Sequence, residues 1–269
     1  MKRSLAPLVI PAAVLAILPF ASVSASGQAA ASQTKAGKAA KAGSTQPIRR
    51  TSDGKPDISG VWAGPGFAFK EGAKYPSTPS ITGFDPKLAA PFKPGGEMIF
   101  NLQKNGEVYH DDPQLHCLPH GIPRVILSAR AQQYFQPPGY LVIVYEDDHM
   151  PRIIPLDGRP HPKDLELSWM GHSVGHWDGD TMVVDTVGLK AWSIDARDHM
   201  HSDALHVIER YTPTGPTTET VEITLDDPTI FTKPWSQSWG MHLHKDWEIL
   251  EDICEENNKD PQLIEYLKK

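Results

Sequence analysis

A series of short β-forming runs, each bounded by turn residues, extends from residue 57 to residue 254. Tyr140 to Tyr145 is a dense run of aromatic and β-branched residues, which favour strands. Asp178-Gly179 separates two further runs, and this dipeptide between β-like runs is typical of a β-hairpin. The runs expected to form strands are 57–62, 132–136, 140–145, 151–155, 171–177, 180–187, 205–211, 217–225, 237–244 and 247–254.

Short strands at this spacing predict a mainly β domain that folds as an antiparallel sandwich or barrel, and of these we expect a barrel or half-barrel. No regular alternation of strands and helices occurs, so a doubly wound α/β fold is not expected. A short helix is expected between Gly96 and Gly106. Residues 63–95 are rich in Gly and Pro and predict a long irregular part before the main strands.

The first residues have the order of a secretory signal peptide. Two basic residues precede an apolar run from Leu5 to Ala21, and Val23-Ser24-Ala25 supplies the small residues of a cleavage site. An uncleaved anchor is the alternative, but the run is short for a span of about 20 residues. We expect a signal peptide at 1–25, a flexible tether at 26–50 and one β-rich domain at 51–269, with a periplasmic or secreted location and no membrane span after cleavage.

The net charge of −7 and the lack of a basic patch argue against nucleic-acid binding. Neither a G-x-G-x-x-G nor a Walker sequence is present, so no phosphate-binding loop is indicated. The partner that we expect is a small molecule.

The chain contains two cysteines, Cys117 and Cys254. In an oxidising compartment such a pair most simply forms one disulfide. The alternative is a free nucleophilic thiol, although neither cysteine lies in a C-x-x-C motif or a recognisable protease motif.

Gly60-Val61-Trp62 resembles the G-x-W that opens the first strand of lipocalins, and this resemblance implies a calycin-like barrel. A wider resemblance is to a group of exported bacterial proteins of uncharacterised activity. It implies a shared β-rich fold and export, and it carries no catalytic residues. The segments that resemble this group are 53–62 (DGKPDISGVW), the C-x-P-x-G-x-P-R loop at 117–124, 156–160, 177–181 and 254–257.

Seven of the 12 histidines lie between His149 and Glu209, among aspartates and β-like runs. A neutral imidazole can act as a base, an acid or a metal ligand near pH 7. No short-range metal signature such as H-E-x-x-H accompanies them, so a divalent metal would need ligands from separate strands. The candidate ligands are His149, His172, His176 and His201.

The hairpin around Asp178-Gly179 brings possible catalytic groups together. Strand alternation places His172, Val174 and His176 on one face. A two-residue Asp178-Gly179 turn would set His172 opposite Asp185, and a carboxylate beside an imidazole suits a general base. We therefore predict His172, Asp185 and His176 as catalytic residues; a hydrogen-bonded polar pair at a sheet surface is the alternative.

Gly171-His172-Ser173-Val174-Gly175 fits the G-x-S-x-G pattern of the α/β-hydrolase nucleophile elbow. That motif needs a strand before the serine and a helix after it. The residues that follow predict a hairpin instead, so an ordinary strand serine is favoured over a nucleophilic Ser173.

Strand alternation also places Glu209 on the opposite face from His206. A glutamate or arginine that faces a barrel interior must be paired. Glu209 and Arg152 are each expected to belong to a structural ion pair or to orient a ligand. The predicted binding residues are His149, Arg152, Trp169, His206 and Glu209.

The sequence favours an exported barrel that binds a small apolar or aromatic molecule. The strand pattern, the early G-x-W and the seven tryptophans, some of which could line a pocket, are the reasons. One alternative is an isomerase, lyase or hydrolase that uses His/Asp acid–base or metal-assisted chemistry. The other alternative is a serine hydrolase that uses Ser173.

Overall fold

The computed structural model describes residues 47–63, 90–95, 117–128, 130–194 and 199–256. The expected signal peptide, the tether up to residue 46 and the helix expected between Gly96 and Gly106 lie outside these residues. Within them, no helix combines the length and the apolar character that a membrane crossing requires.

The described residues form eleven strands and one short helix. The helix, α1, is Arg124–Leu127 and begins at the last residue of the C-x-P-x-G-x-P-R loop, where the sequence predicted no helix. The strands are β1 (Gly60–Ala63), β2 (Gln132–Phe135), β3 (Tyr140–Tyr145), β4 (Pro151–Pro155), β5 (His172–Asp178), β6 (Thr181–Val187), β7 (Trp192–Ser193), β8 (Met200–His201), β9 (His206–Gly215), β10 (Thr218–Asp226) and β11 (Trp235–Leu243).

Nine strands form one antiparallel sheet in the order β4-β3-β2-β1-β11-β10-β9-β6-β5. The two edge strands, β4 and β5, lie against each other, so the sheet curls into a nearly closed barrel. β7 and β8 pair as a separate two-stranded ribbon. The predicted mainly β, antiparallel barrel-like fold with a short helix is confirmed.

Nine of the ten expected runs overlap these strands, and the tenth prediction, 247–254, is wrong. Leu250 is 68% exposed, so this run does not present an alternating apolar face to the core. The Leu250 carbonyl accepts a hydrogen bond from His149 Nε2 at 2.8 Å, and Cys254 forms a disulfide with Cys117. Contacts of this kind, rather than strand pairing, therefore hold the segment.

The G-x-W of β1 has two structural roles. Gly60 has a φ of +128°, and a Cβ at this position would clash with the Leu243 side chain on β11. Trp62 is 2% exposed and stacks on Tyr134, and its Nε1 donates to the Ile58 carbonyl at 2.7 Å. The glycine thus permits close strand packing while the tryptophan fills the core.

The two faces of the sheet differ in character because successive side chains alternate. On β6, Met182, Val184 and Thr186 are fully buried and face the interior, whereas Asp185 lies on the outer face and is partly exposed. On β9, Glu209 faces inward and His206 outward. The strands therefore carry polar groups on both sides of the barrel wall.

Two described residues before the domain boundary expected at residue 51 contact the barrel domain. Arg49 lies 3.4 Å from the Asp57 carboxylate, and Arg50 makes two hydrogen bonds to Asp180, at 3.0 and 2.7 Å. These two arginines, assigned to the end of the tether by the sequence, already contact the barrel domain.

Candidate functional site

Four side chains form a connected cluster on the outer face of the barrel, which we call the Asp185 cluster. Oδ1 of Asp185 lies 3.0 Å from His161 Nε2 and 2.8 Å from His206 Nε2. His161 Nδ1 lies 2.8 Å from His172 Nδ1. The Asp185 carboxylate therefore contacts His161 and His206 directly, and it is connected to His172 through His161.

Three neighbouring strands and one loop supply these side chains. His172 begins β5, Asp185 lies on β6, and His206 begins β9. His161 comes from the loop between β4 and β5. Since β6 pairs with both β5 and β9, residues that point outward from the three strands lie side by side.

The predicted pairing of His172 with Asp185 across the hairpin is wrong. His172 lies opposite Val187, and Asp185 lies opposite Val174. The two-residue turn is Gly179-Asp180 rather than Asp178-Gly179, which moves the register by two residues. A shift of two keeps every side chain on its face, so His172 and Asp185 still share the outer face and are joined through His161.

The contacts define the protonation pattern of the cluster. A carboxylate only accepts hydrogen bonds, so His161 and His206 each donate from Nε2 to Asp185. A neutral His161 then has its lone pair on Nδ1 and accepts from Nδ1 of His172. This tautomer leaves the lone pair of His172 on Nε2, where it can act as a base.

The surroundings move the pKa values of two of these histidines in opposite directions. Burial lowers the pKa of His172, and nearby His161 and Arg159 add to the effect. The hydrogen bond to Asp185 raises the pKa of His206, against the opposing effect of burial. The same bond, with a further one from His161, lowers the pKa of Asp185. His172 therefore favours the neutral form and His206 the charged form.

Two of the predicted histidines lie apart from this cluster. His176 is exposed on the outer face of β5, so the predicted sharing of one face with His172 is confirmed, but no contact joins the two. His149 is exposed in the turn after β3, where its Nε2 donates to the Leu250 carbonyl.

Trp169 and His201 lie near the loop that contains α1. The Trp169 ring contacts Trp192 at a centroid distance of 5.9 Å, and Lys190 Nζ lies 4.7 Å from its centroid. His201 is 1% exposed and its Nδ1 donates to the Ser202 carbonyl at 2.8 Å. Among the residues that the structure describes, no three His, Cys, Asp or Glu side chains are arranged to hold a metal ion.

The predicted binding residues Arg152 and Glu209 form a buried ion pair inside the barrel. Arg152 donates to both carboxylate oxygens of Glu209, at 2.8 and 2.6 Å. It also donates to Ser173 Oγ at 2.9 Å and to Thr186 Oγ1 at 2.6 Å, and Tyr211 donates to Glu209 at 2.5 Å. This buried network links β4 to β5, β6 and β9 across the seam of the barrel.

Ser173 lies within this network rather than at a nucleophile elbow. It is 6% exposed, and β5 continues through it into a hairpin. Its Oγ interacts with Arg152 and with Thr186, and neither can serve as the general base of a serine hydrolase. The G-x-S-x-G match is thus a feature of a buried strand.

Sequence reasoning missed His161 as a member of the site. Its loop has no periodicity that would place the side chain, and 24 residues separate it from Asp185. It also missed a pairing of His120 with Asp148: the carboxylate accepts from the His120 backbone N at 2.6 Å and lies 2.9 Å from its Nδ1. That pair ties the C-x-P-x-G-x-P-R loop to the turn after β3.

An open surface groove beside β1 and β2 contains none of the predicted site residues. It is lined by Thr51, Asp57, Ser59, Phe135, Gln136 and Pro137. The Asp185 cluster is therefore the candidate site that the predicted residues and the geometry share.

Comparison with known proteins finds no matching family model, no similar curated protein and no similar solved structure.

Proposed function

We propose that this protein is an exported β-barrel enzyme that acts on a small organic molecule by acid–base chemistry, as an isomerase, lyase or hydrolase does. The observation that carries the proposal is the Asp185 cluster, in which His172 and His206 are connected while their pKa values move apart. Titratable neighbours whose pKa values are pushed apart are typical of acid–base pairs.

The geometry supports a distinct role for each group. His172 Nε2 takes a proton from the substrate, and the positive charge that forms is balanced through His161 by the Asp185 carboxylate. His206, charged beside Asp185, gives a proton to the substrate. Asp185 and His161 position the two imidazoles and do not themselves contact the substrate.

Hydrolysis of p-nitrophenyl acetate tests whether His172 is a reactive base. We expect the wild-type rate to rise with pH through the lowered pKa of His172 and then to level off. Loss of a general base typically costs about 100-fold or more, so His172→Gln should abolish most of this rate. His176→Gln is the matched control, since His176 is an exposed histidine on the same strand and face.

An equal rate in wild type, His172→Gln and His176→Gln would reject the proposed base. If His176→Gln lowers the hydrolysis rate as much as His172→Gln does, the reaction reflects non-specific imidazole reactivity, and the proposed base is rejected as well.

The second candidate function is binding of a small apolar or aromatic molecule without chemistry. The nearly closed antiparallel barrel favours it, because such barrels commonly hold one small ligand. Recovery of a bound molecule from the purified protein, unchanged after prolonged incubation, would support binding over catalysis.

The exported location rests on residues 1–25 and fits the Cys117–Cys254 disulfide, since disulfides persist in oxidising compartments. Sequencing the N-terminus of the periplasmic or secreted protein should find Ser26 as its first residue. A cytoplasmic protein that keeps Met1 to Ala25 would reject export.

A further inference from the structure

Two inward-facing side chains on neighbouring strands have buried polar atoms without a hydrogen-bond partner in the structure. Glu219 on β10 is 1% exposed, and both of its carboxyl oxygens lack a partner. Gln237 on β11 likewise has a buried and unpartnered Oε1. Unpartnered buried polar atoms are rare in folded proteins and cost roughly 1–3 kcal/mol each, so each calls for an explanation.

Aromatic side chains and a methionine surround Glu219. An interaction with the Tyr134 hydroxyl lowers the pKa of Glu219 against the larger, opposing effect of burial, but that hydroxyl donates its hydrogen bond to Gln132 Oε1 at 3.3 Å. Met241 lies directly opposite Glu219 on β11, and its Sδ is 3.8 Å from the Tyr134 hydroxyl. Trp62 stacks on Tyr134 at a centroid distance of 6.1 Å. The carboxyl thus lies among side chains that cannot neutralise its charge.

When Glu219 is ionised, its missing partner must be a hydrogen-bond donor. A carboxylate and a side-chain amide oxygen both accept hydrogen bonds. Aromatic faces attract cations, and a buried carboxylate attracts them further. An ammonium group meets both requirements, whereas a hydroxyl group meets only the first.

We propose that the barrel interior beside Glu219 binds a small amine, with its ammonium group on the Glu219 carboxylate and its apolar or aromatic body against Trp62 and Tyr134. Burial raises the pKa of Glu219 to about 8, so the carboxyl is mostly protonated at neutral pH without a ligand. A neutral amine that enters takes this proton and forms an ammonium–carboxylate pair, whereas an ammonium ion that enters displaces one proton into solution.

This site is separate from the Asp185 cluster. Glu219 faces the interior from β10, whereas Asp185 faces outward from β6. The amine site therefore does not depend on the proposed acid–base function. His172→Gln should bind the amine as the wild type does, so that failure of one proposal leaves the other intact.

Titration calorimetry of the purified full-length chain with benzylamine and with benzyl alcohol tests the proposal. We expect benzylamine to bind the wild type at least about tenfold more tightly than benzyl alcohol, because only the amine can pair with Glu219. Glu219→Gln should lose that preference. Glu222→Gln is the matched control, since Glu222 is an exposed glutamate on the same strand whose side chain faces outward.

Absence of benzylamine binding at millimolar concentration would overturn the proposal and leave water as the partner of Glu219. Equal binding by wild type and Glu219→Gln would overturn it as well. If Glu219→Gln does not fold, the ¹³C resonance of the wild-type Glu219 carboxyl decides. Benzylamine should move that resonance to its ionised position at pH 7, and no movement would reject the amine site.

Discussion

Glu209 and Glu219 are buried inward-facing glutamates on paired strands, yet their surroundings differ. Glu209 accepts hydrogen bonds from Arg152 and Tyr211, whereas Glu219 has no hydrogen-bond partner in the structure. A buried carboxylate is tolerated when it is paired, and an unpaired one favours its neutral form. A glutamate therefore forms a structural ion pair at position 209, whereas the glutamate at position 219 has a raised pKa.

The pKa of Glu219 predicts how stability depends on pH. Burial raises this pKa from 4.5 to about 8, so the folded state holds a proton that the unfolded state releases between these pH values. The free energy of unfolding should therefore decrease as the pH rises from about 4.5 to 8. Glu219→Gln should remove this decrease and be more stable than the wild type at pH 8, by a few kcal/mol at about 1.4 kcal/mol per pKa unit.

Urea unfolding of wild type, Glu219→Gln and Glu222→Gln at pH 5 and pH 8 measures this effect. The exposed Glu222 should leave the pH dependence as it is in the wild type. A wild type and a Glu219→Gln variant with the same pH dependence would show that Glu219 titrates normally.

Alternation along strands predicted which face most site residues occupy. His172 and Asp185 share one face, and His206 and Glu209 lie on opposite faces, as expected from alternation along β5, β6 and β9. Register was harder to predict because Gly179 adopts a φ of +60° as the first residue of the turn, and a glycine accepts such a φ at either central position. A loop residue such as His161 has no such pattern to place it.

At the scale of elements, the seam between β4 and β5 is joined by side chains. Arg152 on β4 reaches Ser173 on β5, Thr186 on β6 and Glu209 on β9. Polar contacts across the seam compensate for the missing strand pairing between the two edges of the sheet. The ion pair between Arg152 and Glu209 is thus one of the side-chain contacts that hold β4 against the neighbouring strands at the seam.

Removing one partner of this ion pair should be strongly destabilising. Arg152→Met leaves the Glu209 carboxylate buried without its cation, which typically costs about 3–5 kcal/mol. Adding Glu209→Leu to Arg152→Met should restore part of the lost stability, because no buried charge is then left unpaired. Chemical unfolding of the single and double variants gives the coupling between the two residues.

Arg159→Met is the control for this prediction. Arg159 pairs with Asp157 at an exposed position, where water screens the charges and the loss of stability should be small. If Arg152→Met lowers the free energy of unfolding as little as Arg159→Met does, the buried pair has no structural role.

At the scale of the whole molecule, the disulfide between Cys117 and Cys254 closes a long loop. The two cysteines are 137 residues apart, so in the chain-entropy model the bond stabilises the folded state by about 5 kcal/mol. Cys117→Ser/Cys254→Ser should therefore have a markedly lower melting temperature than the oxidised wild type. Equal melting temperatures for the variant and the oxidised wild type would show that packing alone holds the C-terminal segment.

The fold class was predictable because short runs such as 140–145 carry the strand pattern locally. The disulfide was predictable because the chain has only two cysteines. The structure of 247–254 was not, because its place depends on distant partners, His149 and Cys117. The local strand pattern of the sequence therefore predicts most of the barrel. Contacts between distant segments, which the pattern does not show, determine the position of 247–254.

NMR titration of the histidine side chains tests whether His172 and His206 of the Asp185 cluster form an acid–base pair. In the wild type, the pKa of His206 should lie above 6.5 and that of His172 below 6.5. Asp185→Asn should lower the pKa of His206, because it removes the carboxylate that stabilises the charged form. Identical pKa values for the two histidines, or a His206 pKa that Asp185→Asn leaves unchanged, would show that His172 and His206 do not form such a pair.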